Sequence, residues 1–258
     1  MNLRIIDSHI HLDRYDVVKR KQILTDMEKV HMESLLTVSM NLASSINNYQ
    51  LSLKDSRIKP AFGFHPEQPL PSDEEVNELL NWMREHRQDM VAIGEVGLPY
   101  YLRQENPDID NSAYIVILER FLTLAKEVEK PVILHAVHDD APIVCDLLDK
   151  HQITQAHFHW FKGDIRTVER MAEKGYRISI TPDVCYEREI QELVSVYPLK
   201  LMMIETDGPW PFEGDFNGKW THPGMMHHSV RQIASIKGLP IEDVYAILYQ
   251  NTKGFYRI

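Results

Sequence analysis

Asp7-Ser8-His9-Ile10-His11 places two imidazoles two positions apart, directly after a carboxylate. In an extended segment, side chains two apart share a face, so His9 and His11 project together. Imidazole combined with carboxylate suits zinc, manganese, iron or nickel better than calcium, whose sites are built from oxygen. The pair alone carries little weight, because 13 histidines in 258 residues give about 0.6 His-x-His pairs by chance. Other residues able to do chemistry are His65 in Phe62-Gly63-Phe64-His65-Pro66, Glu95 in Ala92-Ile93-Gly94-Glu95-Val96-Gly97, and His135 after Val132-Ile133-Leu134. His157 and His159 flank Phe158, and Asp207 lies in Ile204-Glu205-Thr206-Asp207-Gly208-Pro209. Each has a plainer use: His65 could shape the turn before Pro66, His135 could be a satisfied core histidine, Asp207 could cap a turn and Glu205 could hold a neighbouring backbone. Glu95 is harder to dismiss. It is flanked by apolar residues, and an unpaired buried charge costs on the order of several kcal/mol, so it needs a metal or an arginine.

These residues share a position: each ends a short apolar run. Leu3 to Ile6 reads as a strand, followed by an amphipathic helix over Asp16 to Lys29 with Val17, Ile23, Leu24 and Met27 on its apolar side. Further strands are expected at Ser34 to Ser39, Lys59 to Gly63, Met90 to Gly94, Pro131 to Leu134, Thr154 to Phe158, Tyr176 to Ile180 and Lys200 to Ile204. Helical patterns separate them, over Ala43 to Leu53, Ser72 to His86 with a Ser-Asp-Glu-Glu capping signal, Ser112 to Glu129, Asp140 to Lys150, Asp164 to Lys174 and Tyr186 to Val196. A long loop rich in Asn, Asp and Pro follows the fourth strand. This alternation predicts a (β/α)8 TIM-type barrel in one domain over residues 1–258, with an open doubly wound sheet as the alternative. In a parallel barrel all strands end at one mouth, so His9, His11, His65, Glu95, His135, one of His157 and His159, and Asp207 converge. No G-x-G-x-x-G turn or phosphate-binding G-x-x-x-x-G-K-[ST] loop is present, which argues against a nucleotide cofactor.

The net charge of −10 argues against a broad basic surface of the kind that grips nucleic acid non-specifically. Bound divalent cations would still supply positive charge locally. No stretch reaches the roughly 20 apolar residues of a membrane span, and the N-terminus lacks a secretory pattern, so a cytoplasmic protein is expected. Cys145 and Cys185 are expected as free thiols. Tyr100-Tyr101 and Trp210-Pro211-Phe212 are read as loop packing, and His227-His228 as surface on the helical stretch Met225 to Ile236.

With these motifs in order, the chain resembles the TatD-like metal-dependent hydrolases, within the broader amidohydrolase-type barrels, over nearly its whole length to Asn251-Thr252. The resemblance implies two divalent metals, from among zinc, manganese, magnesium and nickel, and phosphodiester hydrolysis as a deoxyribonuclease. It implies that His9, His11 and Asp207 hold one metal with Glu95, whose carboxylate bridges to a second held by His135 and His159. His159 takes that role because His159-Trp160-Phe161-Lys162-Gly163 is similar to the family's His-Cys-Phe-Ser-Gly segment. His65 would face the substrate phosphate, with Lys162 as a further donor, while Asp207 would accept the proton of a water bridging the metals and Asp7 would orient ligands or backbone from outside. Trp160, Lys162 and Lys219-Trp220-Thr221-His222-Pro223 depart from the family pattern and are expected at the mouth, where they leave the expected substrate open between DNA and a small phosphodiester. Two rivals remain: an amidohydrolase or esterase using the same metals on a small molecule, and an inactive barrel serving as a binding module.

Overall fold

The computed structural model describes residues 3–258. Its strands are β1 Ile5–Ile10, β2 Met32–Thr37, β3 Ile58–Phe62, β4 Ala92–Gly97, β5 Val132–His135, β6 Ala156–Phe158, β7 Arg177–Ile180 and β8 Met202–Ile204. They form one sheet of eight, each β1 to β7 pairing in parallel with its successor. The ring is drawn together beyond β8, where the Asp207 N–H donates to the His9 carbonyl at 2.9 Å and the His11 N–H to the Gly208 carbonyl at 2.8 Å. The barrel, and not the open sheet, is the fold.

The helices between and after the strands are α1 Val17–Asp26, α2 Leu42–Lys54, α3 Asp73–Glu85, α4 Tyr100–Glu105, α5 Asn111–Val128, α6 Asp140–His151, α7 Ile165–Lys174, α8 Arg188–Val196, α9 Met226–Lys237 and α10 Ile241–Tyr256. The Ser72 signal forms a full capping box with Glu75, and Asp16, Asn41, Asp110 and Asp164 cap α1, α2, α5 and α7 through their side chains. Two elements differ from expectation. The loop after β4 contains α4, and α10 seals the barrel floor, where Tyr249 and Tyr256 pack with Ile6, Leu36, Ala61, Ala92, Ile133 and Met203. Val17, expected on the apolar side of α1, is 70% exposed, because α1 buries only Ile23. Among the described residues no helix is long and apolar enough to cross a membrane.

Two layers of apolar residues result. Ile5, Leu35, Phe62, Ile93, Leu134 and Ile178 face the helices, while Ile6, Ala61, Ala92, Ile133 and Met203 fill the interior. In β5 and β8 alternation carries the inward set from Ile133 to His135 and from Met203 to Glu205, with Asp207 in the turn just beyond β8. In β1 and β4 it cannot, since Ile6 and Ala92 point inward at even positions while His9, His11 and Glu95 are odd. The pairing register slips between Asp7 and Ile10 in β1 and between Ile93 and Val96 in β4. Such irregularities re-aim side chains across a sheet, and here each delivers a polar residue to the mouth.

Candidate metal centre

At that mouth His9, His11, Glu95, His135, His159 and Asp207 come together with side chains at most 10% exposed. Close approach of the strand ends requires glycine: a Cβ on Gly97 would lie 1.9 Å from the His135 carbonyl oxygen, and one on Gly63 would lie 2.6 Å from that of Glu95. Asp207 itself has φ 49, a left-handed conformation that is uncommon outside glycine and is fixed by its hydrogen bond to His9.

His9 Nε2 and His11 Nε2 lie 3.2 and 3.3 Å from Glu95 Oε2, and 3.3 and 3.4 Å from Asp207 Oδ1. All four atoms are buried and none makes a hydrogen bond. Tetrahedral coordination with bonds of about 2.0–2.1 Å has ligand-to-ligand edges of about 3.3–3.4 Å, so these separations fit a divalent cation in their midst. The other carboxylate oxygen, Glu95 Oε1, lies 3.0 Å from His135 Nδ1 and 2.5 Å from His159 Nε2, and those two nitrogens are 3.2 Å apart. Glu95 therefore presents one oxygen to each of two clusters of nitrogen donors.

The electrostatics are those of a buried ion cluster. Burial pushes Glu95 and Asp207 up, but the imidazoles around them outweigh it and hold both carboxylates below their ordinary range. Burial pushes His11 down, and the close carboxylates of Asp207 and Glu95 overturn that to leave it at about 9. At His65 burial outweighs the charge of Glu95, and it is lowered to about 3.

His65 also offers Nε2 within 3.5 Å of Glu95 Oε1, close enough to be counted in a cluster with Glu95 and His135. Its other nitrogen decides its chemistry. Nδ1 accepts the Glu67 N–H at 3.1 Å, so neutral His65 carries its proton on Nε2 and turns a donor, not a lone pair, toward the site. His135 is the opposite case. Its Nε2 faces Glu67 Oε1 at 3.0 Å, which places the proton there and leaves Nδ1 free as a ligand. Glu67 is in turn held by the N–H groups of Tyr101 at 2.9 Å and Leu102 at 2.6 Å, at the start of α4. Glu67 was not among the expected site residues. Its signal was its place two residues after His65 at the end of a barrel strand.

The competition between His157 and His159 is resolved by direction. His157 points down the barrel, with Tyr256 OH 2.6 Å from Nδ1 and Ser179 Oγ 2.6 Å from Nε2. His159 stacks on His9 at 3.9 Å between ring centroids. Asp7 accepts from the Thr206 hydroxyl at 2.6 Å and N–H at 3.0 Å and from the His9 N–H at 3.3 Å, joining β1 to β8 from beneath the cluster. Burial raises it to about 7, against the pull of those Thr206 bonds. Glu205 accepts the Trp160 N–H at 2.8 Å, the backbone-holding use considered for it.

A cavity of about 420 Å³ opens above the cluster, lined in part by His65, Lys162 and Trp160. Trp160 is oriented by its indole N–H, which donates to the buried Asp183 at 2.6 Å. Three expectations need correction. Tyr101 and Trp210 line the cavity, while Tyr100 packs against Tyr101 and His138, and Phe212 against Trp160 and Phe216, as loop packing requires. Lys219 to Pro223 is not among the cavity's described lining: the Thr221 carbonyl accepts from Tyr15 OH at 2.8 Å, and Trp220 packs on the same Tyr15 ring. His227 is half-buried, meeting Tyr245 OH at 2.6 Å and the Val30 carbonyl at 2.9 Å, while His228 is exposed. Cys145 and Cys185 are free thiols.

Proteins similar to this chain in sequence include hydrolases. A metal-dependent hydrolase of Haemophilus influenzae is 39% identical over 98% of this chain and 100% of its own length. The human deoxyribonuclease TATDN3 is 26% identical over 96% of this chain and 92% of its own. The crystal structure of YjjV, a TatD homologue from Escherichia coli, superimposes with a TM-score of 0.90 at 22% identity, covering 100% of both chains, and shares the fold. The profile of the TatD-related DNase family matches residues 6–257, so this chain belongs to that family and is a metal-dependent hydrolase.

Proposed function

We propose that this hydrolase cleaves phosphodiesters, with DNA as its substrate, and that His9, His11, Asp207 and Glu95 hold one divalent cation while Glu95, His135 and His159 hold a second. The observation that carries the reading is the division of the Glu95 carboxylate between two nitrogen clusters, with Oε2 at 3.2 Å from His9 and Oε1 at 3.0 Å from His135. A relative that is a deoxyribonuclease, 26% identical along nearly the whole chain, supports the choice of bond.

The cations, when bound, supply Lewis acidity and make water acidic enough to attack near neutral pH. The chain's own residues do the rest. Asp207, held below its ordinary range by the imidazoles of His11 and His9, accepts the proton of the attacking water. His65, neutral and protonated on Nε2, donates a hydrogen bond to the phosphoryl oxygen as charge builds there. Lys162 adds a positive charge on the cavity wall above. Apolar surroundings exclude bulk water and strengthen each of these interactions.

The test is a screen of the metal-loaded protein against DNA, RNA, simple phosphodiesters, carboxylic esters and amides, with Glu95→Ala as control. Turnover confined to phosphodiesters and lost in the control is expected. Turnover of esters or amides alone would make the chain a small-molecule hydrolase, and metal-loaded protein without turnover of any of them would make it a binding module.

A further inference from the structure

Two large side chains at the mouth are left open to solvent although most aromatic residues are buried: Tyr101 is 46% exposed and Trp210 is 41% exposed. Tyr101 follows β4 and Trp210 follows β8, and both line the same cavity. Their backbones are anchored. The Tyr101 N–H is held by Glu67 at 2.9 Å, and its ring is edged by Tyr100 and His135, at 5.3 and 6.1 Å between centroids. The Trp210 N–H donates to the Asp207 carbonyl at 3.3 Å and its carbonyl accepts from the Thr221 hydroxyl. Two half-exposed rings on one cavity, with their backbones anchored, suit a flat aromatic ligand, which gains stacking on an aromatic face.

The charge around them is sparse. Among the described residues lining the cavity, Lys162 is the only lysine or arginine, and Glu67 and Asp207 are acidic. Arg103, on the same short helix as Tyr101, is paired with the buried Asp140. A protein that tracks a long strand does so through a row of cations along successive phosphates. Here one base and one phosphate exhaust the groups available, and a volume of about 420 Å³ lies toward the small end of ligand cavities.

Resting on the phosphodiesterase reading, we propose that Tyr101 and Trp210 form a subsite for a single nucleobase beside the scissile bond, with Lys162 at the one adjacent phosphate. The smallest complete substrate is then dinucleotide-sized, and chain length beyond it adds little.

The experiment uses the metal-loaded full chain with the dinucleotide dTpdT, the same dinucleotide lacking one base, and a single strand of about 20 thymidines. The expected result is a kcat/KM for the dinucleotide within about 5-fold of the long strand, a loss of about 10–100-fold on removing the base, and collapse of that loss below about 3-fold in Tyr101→Ala or Trp210→Ala. Tyr101→Phe, which keeps the ring, retains the base preference. The slope of log binding constant against log salt is expected near about −0.7, one phosphate. An undiminished base preference in both alanine variants overturns the proposal, as does a long strand favoured more than about 100-fold with a slope of about −2 or steeper. If no phosphodiester is hydrolysed, the phosphodiesterase reading fails by itself. The subsite is then judged by titrating thymidine monophosphate: binding weakened about 10-fold or more in Tyr101→Ala upholds it, and equal or absent binding overturns it.

Discussion

The Glu67 N–H donates to His65 Nδ1 at 3.1 Å, and this one bond separates His65 from the other histidines at the mouth. With Nδ1 engaged as an acceptor, His65 cannot offer Nε2 as a lone pair without losing the bond. His65→Ala is expected to keep the metal content of the wild type while kcat falls about 10²–10³-fold, the usual effect of removing a transition-state donor. Metal analysis beside steady-state kinetics checks this, and loss of one equivalent of metal would make His65 a ligand.

Glu67 is expected to act through His135. Glu67→Ala leaves the His135 Nε2 proton without its carboxylate and removes the anchor of the Tyr101 and Leu102 N–H groups. Affinity for the second metal should weaken about 10–100-fold while the first stays near its wild-type value. Calorimetric titration of the two equivalents would reveal the asymmetry; equal weakening of both would point to general loosening of the mouth.

Glu95→Ala should abolish binding of both cations together, because a single side chain serves both clusters. The wild type should gain stability on metal addition, about 2.7 kcal/mol at a hundredfold excess over Kd for one site, and the variant none. Thermal unfolding with and without chelator reads both outcomes. A metal-dependent rise in Tm in Glu95→Ala would contradict the bridging role.

Asp207→Asn keeps a neutral oxygen beside His9 and His11 and leaves three other donors to the first cation. Most of the metal should remain, with turnover reduced about 10³–10⁴-fold. Wild-type turnover in this variant would remove Asp207 from the proton-accepting role.

Much of this arrangement was readable from residue order, and the reasons differ from one residue to another. Glu95 was conspicuous because a carboxylate amid Ile93, Gly94 and Val96 has no plain use. His135 obeys simple alternation from Ile133, so its inward direction follows from the strand alone, whereas Asp207 lies beyond β8 in a left-handed turn. The register slips in β1 and β4 were invisible, since backbone irregularity has no residue signature there. Helix α4 was hidden because a six-residue helix with no buried side chain has no apolar periodicity to display. His157 and His159 were indistinguishable by spacing. What separates them is a partner 99 residues away, Tyr256, reached only through the folded barrel.

Tyr256 OH and His157 Nδ1, 2.6 Å apart and buried, offer a test of stability remote from the metals. Tyr256→Phe leaves His157 with an unsatisfied buried nitrogen and should cost about 1–3 kcal/mol in chemical denaturation, with metal content intact. An unchanged midpoint would mean that another group satisfies His157.

The Glu95 bridge divides the chain in a way that its order along the sequence conceals. His9, His11 and Glu95 come from the first four strands, and His135, His159 and Asp207 from the last four. On the proposed assignment neither half-barrel owns a complete set of donors for either cation, so the ions would act as rivets across the seam between halves. Two fragments parted between β4 and β5 would thus carry complementary halves of one ion-binding lock, and the cation itself would reward their reunion.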